Sequence, residues 1–342
     1  MNRRDFLQLL GATTVSTTLF QCSSESTDRW GRLLPQRVLG GTGESVTCLG
    51  LGGYHIGWTT EVLAQATIEA ALEEGVRFFD TAESYGPHTS EIRYGKYLTP
   101  AYRNEIFLMT KSQAKTGEEA RRHIEASLDR LKTDRIDLWQ LHSIKDPADV
   151  EARLQSGVME TALQAQSEGL IRHIGFTGHS NPYAHTRMLE LTRDPDGTSP
   201  FAACLLPINP VDVSARASFI QQVISPAQKS GVAILAMKTL ADGRFFAAKH
   251  LKEKQIWQTD DPMVPDQISI ETCIQFALSL PCSVLITGAE KPEYLREKAQ
   301  CARGFQSLDV TERQRVIESV ARFAQAAEVE YYKKAELRSR MG

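Results

Sequence analysis

The chain has 342 residues, of which 42% are apolar and 24% charged, and its net charge is −3. These values are typical of soluble globular proteins, and the length exceeds the usual single core, although barrel domains of repeated strand–helix units reach it. Because it has no long run of Lys and Arg, the chain is not expected to bind nucleic acid or an acidic membrane surface. Six scattered cysteines form no C-x-x-C pair, so we expect free thiols that behave as small apolar side chains, and no metal site.

The first thirty residues differ from the rest. Arg3 and Arg4 begin the Arg-Arg-Asp-Phe-Leu pattern of twin-arginine signals, and an apolar stretch at residues 6–20 follows. This stretch is shorter than the roughly 20 residues that a membrane-spanning helix needs. We therefore predict that residues 1–30 are a twin-arginine signal peptide and linker and that residues 31–342 are the folded domain. The twin-arginine machinery would then export the protein, with the periplasm as its destination.

Two alternatives to a cleaved signal peptide stay open. Cys22 is a candidate for lipid attachment, which would anchor the protein to a membrane, although Gln21 stands where such signals prefer a small residue. The other alternative is a basic N-terminal tail that does not act as a signal and leaves the protein in the cytoplasm.

Short apolar runs alternate with helical segments from residue 37 onwards. Three glycines at residues 40–43 separate two short β segments, which predicts a hairpin that leads into the first strand. Further on, Asp309 and Glu312 are spaced as a capping box at the start of a last helix. The predicted strands are residues 48–51, 76–80, 106–111, 136–141, 171–176, 203–206, 232–237 and 283–287.

Strands that alternate with helices predict a parallel sheet, and eight such units predict its closure into a barrel. The predicted fold is therefore an α/β fold, a (β/α)8 TIM barrel with an N-terminal β-hairpin and a C-terminal helical extension. An open, doubly wound sheet is the alternative. It is disfavoured because no G-x-G-x-x-G follows the first strand.

Polar side chains follow the ends of successive predicted strands. Asp80 ends the second strand, Tyr85 lies on the loop after it, Lys111 ends the third strand and His142 follows the fourth. The C-terminal ends of barrel strands converge on one mouth, where active sites are built. Each residue alone has an ordinary explanation as a turn former or a solvated side chain. Together, at corresponding strand ends, the four predict a catalytic site.

The four groups suit proton transfer to a carbonyl oxygen. A free tyrosine, with a pKa of about 10, is a poor proton donor at neutral pH. We expect the Lys111 ammonium to lower the pKa of Tyr85, and Asp80 to hold Lys111 in place. His142 would orient the carbonyl by a hydrogen bond, while a bound cofactor would supply the hydride.

The sequence Asp-Thr-Ala-Glu-Ser-Tyr-Gly at residues 80–86, followed by a strand-end Lys and then Leu-His, resembles the signature of the aldo-keto reductase family. The resemblance covers roughly residues 37–305. It implies an NAD(P)H-dependent enzyme that reduces an aldehyde or ketone to an alcohol, or catalyses the reverse. It also implies that Tyr85 is the proton donor, that Lys111 and Asp80 tune it, and that His142 orients the substrate.

The resemblance also indicates where the adenosine phosphates bind. In the family, the loop after the eighth strand and the start of the next helix hold them, and a helix N-terminus suits an anion. Lys291 is the candidate partner of a 2′-phosphate, with Glu290 beside it as a repelling neighbour, so NADP is expected and NAD is the alternative. The predicted contacts here are Gly288, Ala289, Glu290, Lys291, Tyr294, Glu297 and Lys298.

The nicotinamide end departs further from the family pattern. Gly-Phe-Thr-Gly-His stands where the family has Gly-x-Ser-Asn, so Thr177 and either His179 or Asn181 are the candidates for holding the carboxamide. Asn209 is the candidate substitute for a glutamine of the sixth strand, and Met237 stands where a tyrosine commonly stacks on the nicotinamide. The Thr-Gly-His and Met-Lys sequences are similar to those of a bacterial branch of the family. The other predicted contacts are Gly53, Tyr54, Lys238 and Leu240.

The substrate is not predicted beyond a small carbonyl compound or alcohol. The segment from Lys238 to about Gln267 carries Phe245, Phe246 and Trp257, and it is expected to form a loop over the mouth. These aromatic side chains would contact the substrate or pack on the barrel rim. A second function also stays open, in which the barrel retains a nucleotide as a sensor or accessory subunit with little turnover.

Overall fold

The structure is a computed structural model, and it describes residues 26–246, 249–252, 255–258, 264, 268–324 and 329–333. The predicted signal motif and Cys22 lie outside these residues. The described chain begins with a small antiparallel pair, Thr27–Asp28 with Gly31–Arg32, which spans the predicted boundary between linker and domain. Arg77 Nε donates to Asp28 Oδ2 at 2.6 Å, which joins this pair to the barrel.

A closed barrel of parallel strands forms the centre of the fold. Each strand pairs with its neighbours in chain order, and the last strand pairs with the first. The barrel strands are β1 (Leu49–Gly52), β2 (Phe78–Asp80), β3 (Phe107–Ser112), β4 (Ile136–Leu141), β5 (Ile171–Thr177), β6 (Phe201–Pro207), β7 (Ala233–Met237) and β8 (Val284–Gly288). The predicted TIM barrel is confirmed, and the pairing of β8 with β1 rules out an open sheet.

Helices cover the outside of the barrel, which is why the strands are buried on both faces and rich in apolar residues. They are α1 (Gly53–Trp58), α2 (Glu61–Glu73), α3 (Thr89–Tyr97), α4 (Thr99–Tyr102), α5 (Gly117–Leu131), α6 (Pro147–Gln155), α7 (Val158–Ser167), α8 (Pro182–Leu191), α9 (Phe219–Lys229), α10 (Ile270–Leu278), α11 (Pro292–Arg303) and α12 (Val310–Val320). In the described residues, no helix is both long enough and apolar enough to cross a membrane.

A hairpin closes the N-terminal end of the barrel. Gln36–Val38 pairs with Ser45–Thr47, as predicted, and Leu39 is buried among the side chains that fill the barrel interior. Gly40 has a φ of 51°, and a Cβ there would lie 2.7 Å from the nitrogen of Ala233, so the turn needs glycine. Because the hairpin plugs this end, the described part of the barrel is open to a ligand at the opposite end, where the strands finish.

Part of the C-terminal extension lies beside the open end of the barrel, where Tyr331 lines a cavity. Helix α12 begins with the predicted capping box, in which Asp309 Oδ1 accepts from the backbone N–H of Glu312 and Glu312 Oε2 accepts from that of Asp309. Two 3₁₀ turns follow it, Ala321–Ala324 and Tyr331–Lys333. The extension therefore brings residues from the end of the chain next to the loop that follows β7.

Candidate active site

The predicted quartet comes together at the C-terminal ends of β2, β3 and β4. Lys111 Nζ donates to a carboxylate oxygen of Asp80, to the carbonyl oxygen of Thr81 at 2.8 Å and to the hydroxyl oxygen of Tyr85 at 3.1 Å. The ring of His142 lies edge-on to that of Tyr85, with their centroids 5.9 Å apart. Segments far apart in sequence thus bring a phenol, an ammonium, a carboxylate and an imidazole into contact.

A tight loop sets the position of Tyr85. Its N–H donates to the carbonyl oxygen of Ala82, and its own carbonyl oxygen accepts from the N–H of Ser90, both at 3.1 Å. The next residue, Gly86, has a φ of 61°, and a Cβ there would lie 2.1 Å from the carbonyl oxygen of Gly57. The glycine therefore lets the Tyr85 loop pack directly on α1.

The pKa of Tyr85 differs from the prediction. Burial raises it above the ordinary value of 10 and outweighs Lys111, which by itself lowers it, while Asp80 adds to the rise. Lys111 lowers the pKa of Tyr85 as predicted, but the protein packed around the phenol raises it by more, an effect that the prediction did not include. Tyr85 is therefore protonated at neutral pH and available as a donor.

Lys111 is held as a cation and His142 as a neutral imidazole. Burial disfavours the Lys111 ammonium, but Asp80 and Tyr85 oppose this and raise its pKa, so the side chain stays charged. Burial, and then the charge of Lys111, holds the pKa of His142 well below its ordinary range. Among the described residues, His142 Nδ1 has no hydrogen-bond partner. The mouth therefore presents a neutral imidazole beside a fixed cation.

A cavity of about 570 Å³ lies above these residues, and Asp80, Tyr85 and His142 line it. Its volume is within the range of small-molecule and cofactor sites. Lys111 is buried beneath it. Most of the predicted cofactor residues also line the cavity: Tyr54, His179, Met237, Lys238, Leu240, Gly288, Glu290, Tyr294, Glu297 and Lys298.

The remaining predicted cofactor residues lie elsewhere. Gly53 packs under the mouth, where a Cβ would lie 2.5 Å from the carbonyl oxygen of Asp80. Thr177 and Ala289 are buried behind the cavity wall. Lys291 is exposed at the start of α11, with its Nζ 4.6 Å from the centroid of the Tyr294 ring.

Asn209, the predicted substitute for a glutamine of the sixth strand, binds two residues of the C-terminal extension. Its Nδ2 donates to Glu330 Oε1 at 3.0 Å and to the hydroxyl oxygen of Tyr332 at 3.1 Å. Its Oδ1 accepts from the N–H groups of Val211 and Asp212. Its hydrogen-bonding groups are thus engaged within the protein, and it does not line the cavity.

The end of the cavity at β8 and α11 fits a dinucleotide. A Cβ at Gly288 would lie 2.3 Å from His55 Nδ1, so the glycine makes room for the imidazole over the strand end. Neither ring nitrogen of His55 makes a hydrogen bond within the described residues, and its Nε2 lies 3.2 Å from Glu290 Oε1. Within the described residues, no side chain accepts a hydrogen bond at the start of α11, so the backbone N–H groups there can face an anion.

The lining residues that the sequence predictions missed include His55 and Tyr331. Asp242 and Arg244 also line the cavity, and they lie in the segment that was predicted to form a loop over the mouth. His55 lies three residues after β1, so the rule that polar groups collect at strand ends could have found it. Tyr331 comes after the last helix, and no local pattern points to it. Of the predicted aromatic residues, Phe246 lines the cavity and Phe245 is buried in the core, while the side chain of Trp257 lies outside the described residues. The structure, where described, holds no group of three His, Cys, Asp or Glu side chains suited to a metal ion.

A βα barrel with this quartet at its mouth and a nucleotide-sized cavity above it defines a class of nicotinamide-dependent oxidoreductases. Residues 48–265 match the family model described as the Aldo/keto reductase family. The chain belongs to this family, which confirms the resemblance seen in the sequence.

Known proteins agree with this assignment. The chain is 36% identical to L-galactose dehydrogenase of Arabidopsis thaliana over 42% of its own length and 48% of that protein, about half of the plant enzyme. It is 27% identical to the oxidoreductase YqkF of Bacillus subtilis over 78% of this chain and 90% of that one.

Solved structures share the fold. An aldo-keto reductase from Bacillus halodurans in its holo form gives a TM-score of 0.68 at 22% identity, covering 84% of this chain and 96% of that one. A glycerol dehydrogenase from Gluconobacter oxydans gives 0.64 at 20% identity, covering 84% and 95%. These structures show the shared fold. Membership of the family identifies the chain as an oxidoreductase and supports the exchange of hydride between NAD(P)H and a carbonyl.

Proposed function

We propose that the protein reduces an aldehyde or ketone to an alcohol, or catalyses the reverse reaction, with Tyr85 as the proton donor. The observation that carries this proposal is the hydrogen bond of 3.1 Å between Lys111 Nζ and the Tyr85 hydroxyl, beside Asp80 and below a nucleotide-sized cavity. At this distance the Lys111 ammonium stabilises the phenolate that forms when Tyr85 gives up its proton, which partly offsets the burial that raises the pKa of Tyr85.

In this mechanism the substrate oxygen lies between Tyr85 and His142. The neutral imidazole donates a hydrogen bond to that oxygen and polarises the carbonyl. When bound, the cofactor supplies the hydride to the carbonyl carbon. The Tyr85 hydroxyl gives its proton to the developing alkoxide, and the Lys111 ammonium stabilises the phenolate that remains. In the reverse direction the phenolate takes the proton from the alcohol.

The cofactor would lie across the cavity. Gly288, Glu290 and Tyr294, at the end of β8 and the start of α11, would hold the adenosine end. Met237 and His179, at the end of β7 and just after β5, would hold the nicotinamide. The exposed Lys291 beside Tyr294 supports NADP as the cofactor, because its ammonium can reach a phosphate at the cavity edge.

The proposed function is tested by Tyr85→Phe. The change keeps the ring and its packing but removes the hydroxyl, and loss of a general acid lowers a rate by about 10²–10⁴-fold. We expect this loss in single-turnover aldehyde reduction, with NAD(P)H affinity nearly unchanged. Tyr102→Phe is the matched control, because Tyr102 packs on Trp30 and does not line the cavity. Near wild-type reduction by Tyr85→Phe would reject the mechanism.

We also propose that the protein is exported by the twin-arginine machinery, which accepts folded proteins. The support is the Arg3-Arg4 motif and the apolar stretch after it. Residues 1–35 fused to a folded reporter should carry it to the periplasm, and Lys in place of both arginines should block this. A reporter that stays in the cytoplasm with the native segment contradicts export. Membrane attachment that is lost on Cys22→Ala would identify a lipid anchor.

A further inference from the structure

The segment Val329–Lys333, here named the C-terminal clasp, is anchored beside the barrel mouth. Lys333 Nζ donates to a carboxylate oxygen of Asp212 and, at 2.7 Å, to Glu330 Oε2, and these three side chains are at most 5% exposed. Val329 is buried in an apolar cluster with Phe245. Breaking a buried ion pair of this kind is strongly destabilising, so the ends of the clasp are firmly held.

The middle of the clasp contacts the loop that follows β7, residues 238–246. The Tyr331 hydroxyl donates to Asp242 Oδ2 at 2.8 Å, and the Arg244 guanidinium lies over the Tyr331 ring, 4.4 Å from its centroid. Lys238 Nζ lies 3.3 Å from the other carboxylate oxygen of Asp242. All four side chains line the cavity, so the clasp and the loop together form one of its walls.

The loop has an unfavourable backbone conformation. Lys238, Ala241 and Asp242 have φ values of 56°, 47° and 62°, in the left-handed region that residues with a side chain rarely adopt. Such residues persist only where their surroundings hold them. Tyr331 holds Asp242 by its hydrogen bond, and Val329 lies in the same apolar cluster as Ala241. The shape of the loop therefore depends on the clasp.

We propose that the C-terminal clasp retains the dinucleotide, and that nucleotide enters and leaves when Tyr331 releases Asp242. This inference rests on the proposed function, since it takes a nicotinamide dinucleotide as the occupant of the cavity. With the hydrogen bond made, the loop and the clasp form one wall of the cavity, and we expect this wall to hinder the release of a bound nucleotide. The same arrangement pairs the charge of Asp242 with Lys238, which reduces its repulsion of the cofactor diphosphate. Tyr331 is thus a positioning residue that acts through the loop.

The test is the release rate of bound NADPH and of bound NADH, followed by nucleotide fluorescence in stopped flow after mixing with excess oxidised nucleotide. Tyr331→Phe keeps the ring under Arg244 but removes the bond to Asp242. Because a hydrogen bond to a charged group is lost, we expect release to become about tenfold faster. Tyr97→Phe is the matched control, since it removes a phenol–carboxylate bond to Glu61 on the surface. Its release rate should equal that of the wild type.

Two further measurements separate this role from a general loss of structure. In the nucleotide-free protein, hydrogen exchange of the amides at residues 239–246 should be faster in Tyr331→Phe than in the wild type. Asp242→Ala, which removes the acceptor of the Tyr331 hydroxyl, should also speed release, and Tyr331→Phe added to it should change the rate little, because that hydrogen bond is then already lost.

Different results would contradict the retention role of the clasp and the proposed function. If Tyr331→Phe binds nucleotide and releases it at the wild-type rate, the clasp is overturned and the reductase proposal is unaffected. If the wild type binds neither NADPH nor NADH, the proposed function is overturned, and the retention role with it.

Discussion

Replacing Lys111 by methionine removes the charge at the centre of the quartet with little change in side-chain volume. Lys111 is 1% exposed and its ammonium donates to both Asp80 and Tyr85. The substitution leaves Asp80, itself 3% exposed, as a buried carboxylate without its cation. Removing one partner of a buried ion pair destabilises a protein by about 3–5 kcal/mol. We expect a loss of this size in the free energy of unfolding, measured in urea at neutral pH.

The same variant should lose activity, because the phenolate that Tyr85 becomes would have no cation beside it. We expect single-turnover reduction to fall by about 10²–10⁴-fold, the range for loss of general acid catalysis. Stability and rate are separated by the double variant Lys111→Met with Asp80→Asn. The amide carries no charge, so much of the lost stability should return, while the rate should stay low.

The outcome that refutes this reasoning is recovery of both properties. If the double variant regained stability and reduced an aldehyde at near wild-type rate, Lys111 would serve only to neutralise Asp80 and would have no part in proton transfer. If Lys111→Met alone retained full stability, the buried Asp80 carboxylate would not destabilise the protein when its cation is removed, and the predicted loss in the free energy of unfolding would be wrong.

Three further predictions concern pH and cofactor choice. Burial raises the pKa of Tyr85 above 10 and holds that of His142 well below its ordinary range, so the reduction rate should be level from about pH 6 to about pH 9; a titration within that range would contradict these assignments. Lys291→Ala should weaken NADPH binding by about 1–3 kcal/mol and leave NADH binding nearly unchanged; equal losses in a titration would show that Lys291 does not read the 2′-phosphate. Burial lowers the pKa of His185 from 6.5 to about 4, so the unfolded chain takes up a proton more readily and stability is lost as the pH falls below 6.5. Urea unfolding should show about 2 kcal/mol less stability from this residue at pH 5 than at pH 7, a difference that His185→Gln should remove.

Local sequence determines the barrel because each unit carries its own signals. Apolar runs predict the strands, and β4 (Ile136–Leu141) has the predicted bounds, while most other strand ends shift by one or two residues. The capping box at Asp309 also forms as predicted. Asp80, Tyr85, Lys111 and His142 were predictable for the same reason, since the end of a barrel strand has a known place in the fold.

Burial and contacts between distant parts of the chain were decided only by the tertiary structure. The direction of the pKa shift of Tyr85 depends on how much protein surrounds the phenol, which no spacing reveals. Lys333 meets Asp212, 121 positions earlier, and this contact brings Tyr331 into the cavity wall. It also accounts for Asn209, which binds Glu330 of the clasp and does not face the cavity. A sequence pattern specifies a side chain's chemistry and its local direction, whereas its partners depend on which distant segment packs against it.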